Sequence, residues 1–258
     1  MKLASPLATA ARKDLLDRCK RDHVPIRRAF VQHTAQGGGP GPLADLVRNR
    51  REVALDLYLL LHASACGGAF DTRLHALVWA RALGLDETRH SASLISRNWT
   101  WLESERLIAK ARDRRLLNVT LLKEDGSGTP YSHPGKAGNY FKLSHRYWTD
   151  EWCDRLDVPA KAALLILLSR QPGNDLPQER ASKWYGISSD TLGRGLKTLR
   201  ENGLVRVRVR QKQAPLSPIG FSWEQRYTLL APFNRPTPKS RGATGRKRSA
   251  TSGRKRVA

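Results

Sequence analysis

The polar residues best suited to contact an anionic partner lie in the segment ISSDTLGRGLKTLRENG, residues 187–203. Spacings of three and four residues place side chains on one face of a helix. Two rows follow this spacing: Leu192, Leu196 and Leu199 form one, and Asp190, Arg194, Lys197 and Glu201 form the other. The segment is therefore predicted to be an amphipathic helix that begins after Ser188 or Ser189 as its cap and presents a polar face to a ligand.

The next segment, GLVRVRVRQKQ, residues 203–213, alternates valine with arginine. Successive side chains of an extended chain point to opposite faces, so the valines would face the core and the arginines the solvent. Two explanations stay open: charge that keeps an exposed edge strand soluble, or contact with phosphates. The alternating residues are Val205, Val207 and Val209 on one face and Arg206, Arg208, Arg210 and Lys212 on the other.

The net charge favours a polyanionic partner. The 258 residues include 46 Lys and Arg against 23 Asp and Glu, a formal charge of +23. Such an excess indicates nucleic acid or an anionic membrane surface. No apolar run approaches the ~18 to 20 residues that span a membrane, and the N-terminus lacks the apolar core of a secretion signal. We therefore expect a cytoplasmic protein without a membrane partner.

The same order of elements occurs twice between the chain ends. Each copy has three helices followed by two strands, and WLESERLI in the first aligns with TLRENGLV in the second. The third helix of the first copy is about five residues longer. The first two helices are predicted at Val53–His62 and Leu74–Leu83 in the first copy, and at Pro159–Arg170 and Pro177–Tyr185 in the second, whose return strand is Phe221–Leu230.

These elements predict a mainly α fold with small β wings, of the α+β class. The N-terminal part contains a charged helical stretch, Ala10–Asp22, and a Gly/Pro stretch, Ala35–Leu43, predicted to be a linker. The end of the chain has nine basic and no acidic residues from Arg235 on, typical of a disordered tail. The predicted divisions are a basic N-terminal segment and linker at 1–48, a domain at 49–122, a connecting loop and boundary helix at 123–154, a domain at 155–232 and the tail at 233–258.

The second copy resembles the winged helix-turn-helix superfamily. The resemblance lies in YGISSDTLGRGLKTLRENGLVRV, with Gly186 in the turn, the serine caps, the leucine row and Gly203 before the wing, a pattern similar to MarR-type bacterial proteins. Two unequal copies in one chain resemble, in architecture alone, the initiators of iteron-type plasmids. The first copy departs from the pattern by its longer third helix and by Arg106, where the family usually has glycine.

The resemblance implies that the third helix enters the major groove and that the wing contacts the flanking backbone or minor groove. The helix candidates are Ser189, Asp190, Thr191, Arg194, Lys197 and Thr198, and the wing candidates are Arg206, Arg208, Arg210 and Lys212. The first-copy candidates are Arg89, Ser93, Arg97 and Thr100 on the helix and Arg112, Arg114 and Arg115 on the wing turn. The tail candidates, which would contact DNA without sequence preference, are Arg246, Lys247, Arg248, Arg254, Lys255 and Arg256. Gly193 and Gly195 fit either tight packing on the second helix or close approach to phosphates.

The sequence contains no recognisable catalytic constellation. A GxxxxGK[ST] phosphate loop is absent, which argues against an NTPase. His62, Cys66 and His75 could be assembled into a metal site, but the apolar helix around them favours core packing. The three widely spaced cysteines are expected to be reduced structural thiols. We expect no enzyme activity, no cofactor and no metal.

The expected function is sequence-specific binding of double-stranded DNA by a bacterial transcriptional regulator associated with the nucleoid. One alternative is a replication initiator of a plasmid or integrative element. Another is an architectural or RNA-binding protein that uses charge alone. A homodimer is left open.

Overall fold

The computed structural model describes residues 5–33, 38–66, 68–113, 116–135, 139–170, 176, 178–213, 215–216, 218 and 220–234. The fold is mixed α+β, with 46% helix and 22% strand in small sheets, which confirms the predicted α+β class. The predicted tail from Arg235 on, and Arg114 and Arg115 of the first wing turn, lie outside the described residues. No helix in the described ranges is both long and apolar enough to cross a membrane.

The N-terminal part is built into the body of the protein. Helix α1 (Pro6–Leu16) starts earlier than the predicted Ala10–Asp22, because the Ser5 side chain accepts a hydrogen bond from the Ala8 N–H at 3.2 Å. Strand β1 (His23–Arg27) and a 3-10 turn follow. Helix α1 buries Arg12, whose guanidinium Nη2 donates to Asp154 Oδ1 at 2.7 Å.

The Gly/Pro stretch differs from the predicted linker over its described part, residues 38–43. Pro40 forms a β-bridge with Gln32, and the Gly41 N–H donates to the Val31 carbonyl at 3.1 Å. A Cβ on Gly41 would lie 2.2 Å from the Ala29 carbonyl oxygen, so glycine permits this close approach. Helix α2 (Leu43–Arg48) begins at once and buries its leucines, which ties the stretch to the core.

The first unit, α3 to β4, has one strand that the sequence pattern did not predict. It comprises α3 (Glu52–Ser64), β2 (Asp71–Leu74), α4 (Ala76–Ala82), α5 (Arg89–Ser104), β3 (Ile108–Asp113) and β4 (Leu116–Leu121). The strands form an antiparallel sheet in the order β2-β4-β3. Leu74 was predicted to be helical but ends β2, and His75 caps α4 by accepting from the Leu77 N–H at 3.3 Å.

The segment between the units contains strand β5 (Tyr140–Ser144) and two short helices, α6 (Arg146–Thr149) and α7 (Trp152–Arg155). Strand β5 pairs antiparallel with β1, which attaches the N-terminal part to the middle of the chain.

The second unit, α8 to β7, has the predicted order with a shorter second helix. It comprises α8 (Val158–Ser169), a 3-10 turn at Gln178–Arg180, α9 (Ala181–Tyr185), α10 (Ser189–Glu201), β6 (Val205–Gln213) and β7 (Phe221–Leu229). Asp157 caps α8 by accepting from the Ala160 N–H at 3.0 Å. Gly186, at φ 65°, ends α9 in the left-handed conformation that glycine favours.

The junction between third helix and wing is the same in both units. The Leu107 N–H donates to the Leu102 carbonyl at 3.1 Å, and the Leu204 N–H donates to the Leu199 carbonyl at 2.9 Å. The residue before each donor is left-handed: Arg106 at φ 56° in the first unit and Gly203 at φ 71° in the second. The structure thus confirms the alignment of WLESERLI with TLRENGLV. Arg106 adopts the conformation that glycine would favour at this position.

The two units share one hydrophobic core, and a buried ion pair joins α8 to α3. Lys161 of α8 is only 1% exposed, and its ammonium Nζ lies 2.8 Å from Glu52 Oε1 and 2.7 Å from Asp56 Oδ2. Both carboxylates lie on α3, one helical turn apart. Burial raises the pKa of Asp56 to about 6. A buried charge of this kind is tolerated only while its partners are in place.

We predict that Lys161→Met lowers the free energy of unfolding by about 3–5 kcal/mol at pH 7.5, because Asp56 is left buried without its cation. The loss shrinks at lower pH. Lys161 lowers the pKa of Asp56, so in the variant this pKa lies above the value of about 6 in the original chain and further above that of the unfolded chain. The folded variant therefore takes up a proton and regains stability as the pH falls from 7.5. Urea unfolding at pH 7.5 and pH 5.5 measures both effects.

Arg146→Met is the matched control. Arg146 forms an exposed pair with Asp150 on α6, and its loss should cost at most about 1 kcal/mol. A Lys161→Met variant as stable as this control at both pH values would contradict the assigned role of the buried lysine.

Candidate nucleic-acid interface

Helix α10 begins with the predicted serine cap. Ser188 Oγ accepts from the Thr191 N–H at 3.1 Å, so Ser188 rather than Ser189 is the cap. Ser189 and Asp190 are exposed in the first turn, and Thr191 is half-buried. The start of a helix carries partial positive charge, which suits contact with an anion.

The inner face of α10 packs on α8. Leu192, Leu196 and Leu199 are buried, as their spacing predicted. A Cβ on Gly195 would lie 2.1 Å from the Pro159 carbonyl oxygen, so this glycine lets the two helices approach closely. Of the two explanations that the sequence left open, tight packing applies to Gly195, but the packing partner is the first helix of the unit and not the second. Gly193 is different, because among the described residues a Cβ there would meet only Gln178 Oε1, at 3.4 Å.

The outer face of α10 carries the polar row in solvent. Arg194 Nε lies 3.2 Å from Asp190 Oδ2, and Lys197 Nζ lies 3.9 Å from Glu201 Oε1. All four side chains are more than half exposed. Exposed pairs of this spacing stabilise a helix by only about 0.3–0.5 kcal/mol. An anionic partner can therefore replace either acid at little cost. Thr198 is half-buried beside this row.

Arg200 belongs to the same surface but was not predicted. It is exposed on α10 and lines a cleft together with Arg206 of β6. The spacing of three residues from Lys197 was the available signal. This spacing predicts only that Arg200 and Lys197 share a helix face. The cleft with Arg206 could not be predicted, because it depends on the direction in which the hairpin leaves the helix.

The hairpin of β6 and β7 presents the predicted row of arginines. Its register places Arg206 opposite Thr228, Arg208 opposite Arg226 and Arg210 opposite Glu224. Arg206, Arg208 and Arg210 are exposed, and their side chains form no hydrogen bond or ion pair within the described part of the chain. Lys212, by contrast, is paired with Glu224 at 2.6 Å.

Arg208 and Arg226 lie directly across from each other on this face. Like charges in directly opposed positions destabilise a hairpin. Arg226 could not be placed from the sequence, because the loop that sets the register is too long for a defined turn.

The valine face is buried only at its base. Val205 is 3% exposed and Val207 is half-buried, but Val209 is 59% exposed. The prediction that all three valines face the core is therefore wrong for Val209. Trp223, near it on the same face of the hairpin, is 63% exposed. The hairpin extends beyond the body of the protein, so its outer half has no core to cover.

The first unit also exposes its predicted helix residues. Helix α5 is capped by Thr88, whose Oγ1 accepts from the Ser91 N–H at 3.2 Å. The exposed candidates of this unit are Arg89, Ser93, Arg97 and Thr100 on α5 and Arg112 on β3. Thr100 Oγ1 already accepts a hydrogen bond from Lys110 at 2.9 Å. The tail candidates, 246–248 and 254–256, lie outside the described residues.

The histidines and cysteines named as a metal alternative are not brought together as a ligand set. Within the described ranges, no group of three or more His, Cys, Asp or Glu side chains could hold a metal ion. Cys66 is instead paired with Cys19, with their Cα atoms 5.6 Å apart, which is a disulfide spacing. The expectation of reduced thiols is therefore wrong for these two residues. Cys153 is unpaired and buried, and burial raises its pKa.

Comparison of the chain with protein-family models, with curated proteins and with solved structures gives no match. Its function therefore has to follow from its own geometry and charge.

We predict opposite effects of alanine at the two glycines of α10. Gly195→Ala should lower the free energy of unfolding by about 1–3 kcal/mol, because its Cβ collides with the backbone of α8. Gly193→Ala is the matched control and should be neutral or raise stability by up to about 1 kcal/mol, because alanine favours a helix. Thermal unfolding of both variants measures the difference. Equal effects would contradict the packing assigned to Gly195.

Proposed function

We propose that the chain binds double-stranded DNA in a sequence-specific manner and acts as a transcriptional regulator. The main observation behind this proposal is that Arg194 and Lys197 form an exposed row on α10. A hairpin follows α10 directly, and its three exposed arginines have no acid partner in the described ranges. The proposed arrangement is a winged helix-turn-helix, with α10 as the recognition helix and β6–β7 as the wing. The proposed location is the cytoplasm, in association with the nucleoid.

The dimensions of α10 suit the major groove. Its 13 residues span about 20 Å, and the major groove is about 12 Å wide, enough to admit a helix. Arg194 and Lys197 would bind guanine O6 and N7, the most common specific contacts of such side chains. Ser189 and Thr191, at the start of the helix, would bind phosphate together with the backbone amides there. Asp190 and Thr198 complete the face.

The hairpin would position the protein on the DNA rather than read the base sequence. Each of its strands has nine residues and spans about 30 Å, so its outer half can reach backbone beyond the groove that α10 occupies. Contacts of Arg206, Arg208 and Arg210 with phosphates would add affinity for any sequence. Arg89, Ser93, Arg97 and Arg112 would give the first unit a second contact with the same DNA.

A replication initiator is the second candidate function. The observation that favours it is the matching helix-to-wing junction of two units that share one core. Two unequal DNA-binding units in one chain suit direct repeats, whereas a homodimer of a regulator suits an inverted repeat. Selection of bound DNA from a random pool distinguishes the two: direct repeats favour the initiator and a single inverted repeat favours the regulator.

We predict that the two basic surfaces affect binding differently. Arg194→Ala with Lys197→Ala should cost roughly 1–3 kcal/mol for each base interaction removed at the selected site and little on random DNA. Replacing Arg206, Arg208 and Arg210 together by Ala should weaken binding to both DNAs. It should also reduce the log-log salt slope by about 0.9 for each phosphate that the variant no longer neutralises. Fluorescence anisotropy at several salt concentrations measures each quantity.

The matched control removes equal charge elsewhere, by changing Lys13 of α1, Lys142 of β5 and Arg146 of α6 to Ala, all of them exposed. It should change the salt slope less than the hairpin variant does. If the Arg194 and Lys197 changes weaken binding to selected DNA, random DNA and RNA equally, charge alone is responsible. The architectural or RNA-binding alternative would then replace the proposal.

A further inference from the structure

A cavity of about 430 Å³ lies apart from α10 and its hairpin, in the N-terminal half of the fold. We call it the N-terminal cavity. Its walls come from the segment that follows α1, the end of α3 and the loop that follows β4. The Cys19–Cys66 pair forms part of the wall and holds the first two of these segments together. A volume of this size is typical of sites for small organic molecules.

The inner wall is aromatic, and the lining contains two unsatisfied ring nitrogens, those of His62 and of the half-buried His145. His62 is 6% exposed, and its Nε2 has no hydrogen-bond partner within the described chain. The His62 ring lies 4.7 Å from the Tyr58 ring and 5.3 Å from the Tyr131 ring, measured between centroids. Phe70 packs on Tyr131 at 4.8 Å. Buried polar atoms are nearly always hydrogen-bonded, so an unpaired nitrogen at a cavity wall indicates a missing partner.

His62 faces the cavity as a neutral imidazole, because burial lowers its pKa to about 3. A neutral ring nitrogen forms one hydrogen bond as donor or acceptor and carries no charge. The deep end of the cavity is therefore suited to a single polar atom of an otherwise apolar group.

The mouth of the cavity is cationic. Arg18, Lys20 and Arg21 line it and are exposed, and Arg21 also contacts His133. Two exposed acids of the same segment, Asp17 and Asp22, offset part of this charge, so the three cations leave residues 17–22 with a net charge of +1. The fully buried Glu124 is paired with Arg27 at 2.6 Å. A cationic mouth above an apolar interior attracts anions.

We propose that the N-terminal cavity binds a small organic anion that carries a flat aromatic group. The aromatic group lies against Phe70 and Tyr131, and the anionic group lies at the mouth near Arg18 and Arg21. A polar atom of the ligand or an ordered water beside it satisfies His62 Nε2. The proposal does not depend on DNA binding, because ligand binding is measured directly.

The test uses two probes of nearly equal shape, 2-naphthoate and its neutral counterpart 2-naphthalenemethanol, with the full chain in the absence of reductant. Isothermal titration calorimetry should give saturable one-to-one binding of 2-naphthoate, at least tenfold tighter than the alcohol. Arg18→Ala with Arg21→Ala should reduce 2-naphthoate affinity about tenfold and leave the alcohol unchanged. Both side chains are exposed, so this variant keeps its fold. Lys13→Ala with Lys183→Ala, both exposed and outside the cavity lining, is the charge-matched control and should bind both probes as the original chain does.

A second measurement places the probe in the cavity without any substitution. The ring protons of His62 should shift in the NMR spectrum as 2-naphthoate saturates its site. No saturable binding at millimolar 2-naphthoate would overturn the proposal. Equal affinity for the two probes, equal loss in the control variant, or binding that leaves the His62 resonances unchanged would overturn it as well.

Discussion

The ammonium group of Lys161, held between two carboxylates of α3, is the constraint on which the arrangement of the other elements depends. A buried charge is costly unless it is paired and hydrogen-bonded. Glu52 and Asp56 lie one turn apart on α3, so both reach Lys161 only when the first turn of α8 lies beside the first two turns of α3. Apolar side chains surround this contact and supply most of the burial, but they would tolerate several alignments. The lysine selects one of them.

The position of the candidate DNA-binding surface follows from that alignment. Helix α8 positions α10, because the close contact at Gly195 and the buried leucine row fix α10 against α8. Helix α10 in turn fixes the start of the hairpin, through the left-handed Gly203 and the hydrogen bond from the Leu204 N–H to the Leu199 carbonyl. Each step leaves the outer face of α10 and the arginine face of the hairpin in solvent. The side chains that would contact DNA are thus attached to a rigid base. Their ion pairs with neighbouring acids are weak enough to be replaced by contacts with an anionic partner.

The parts that the sequence predicted are those governed by local rules. The cap of α10, its leucine and polar rows, and the alternation of the first wing strand depend on residues within one or two turns of each other. The parts that it did not predict depend on distant residues. Strand β2 has only four residues and forms because β4 offers it a partner. The Gly/Pro stretch packs on the core because Gln32 bridges Pro40. The pairing of Cys19 with Cys66 spans 47 residues, and the exposure of Val209 depends on how far the hairpin extends beyond the body.

Whether α10 reads base edges is decided by a base-specific double-mutant cycle. Each guanine of the selected DNA site is replaced in turn by 7-deazaguanine, which lacks the N7 acceptor, and affinity is measured for the original chain and for Arg194→Ala. We expect one guanine at which the replacement costs the original chain about 1 kcal/mol and costs the variant nothing, because each good pair of contacts is worth about 1–3 kcal/mol. The account would be contradicted if, at every guanine, the loss of binding free energy from the base replacement simply added to the loss from Arg194→Ala, and if the same held for Lys197→Ala. Helix α10 would then not read base edges.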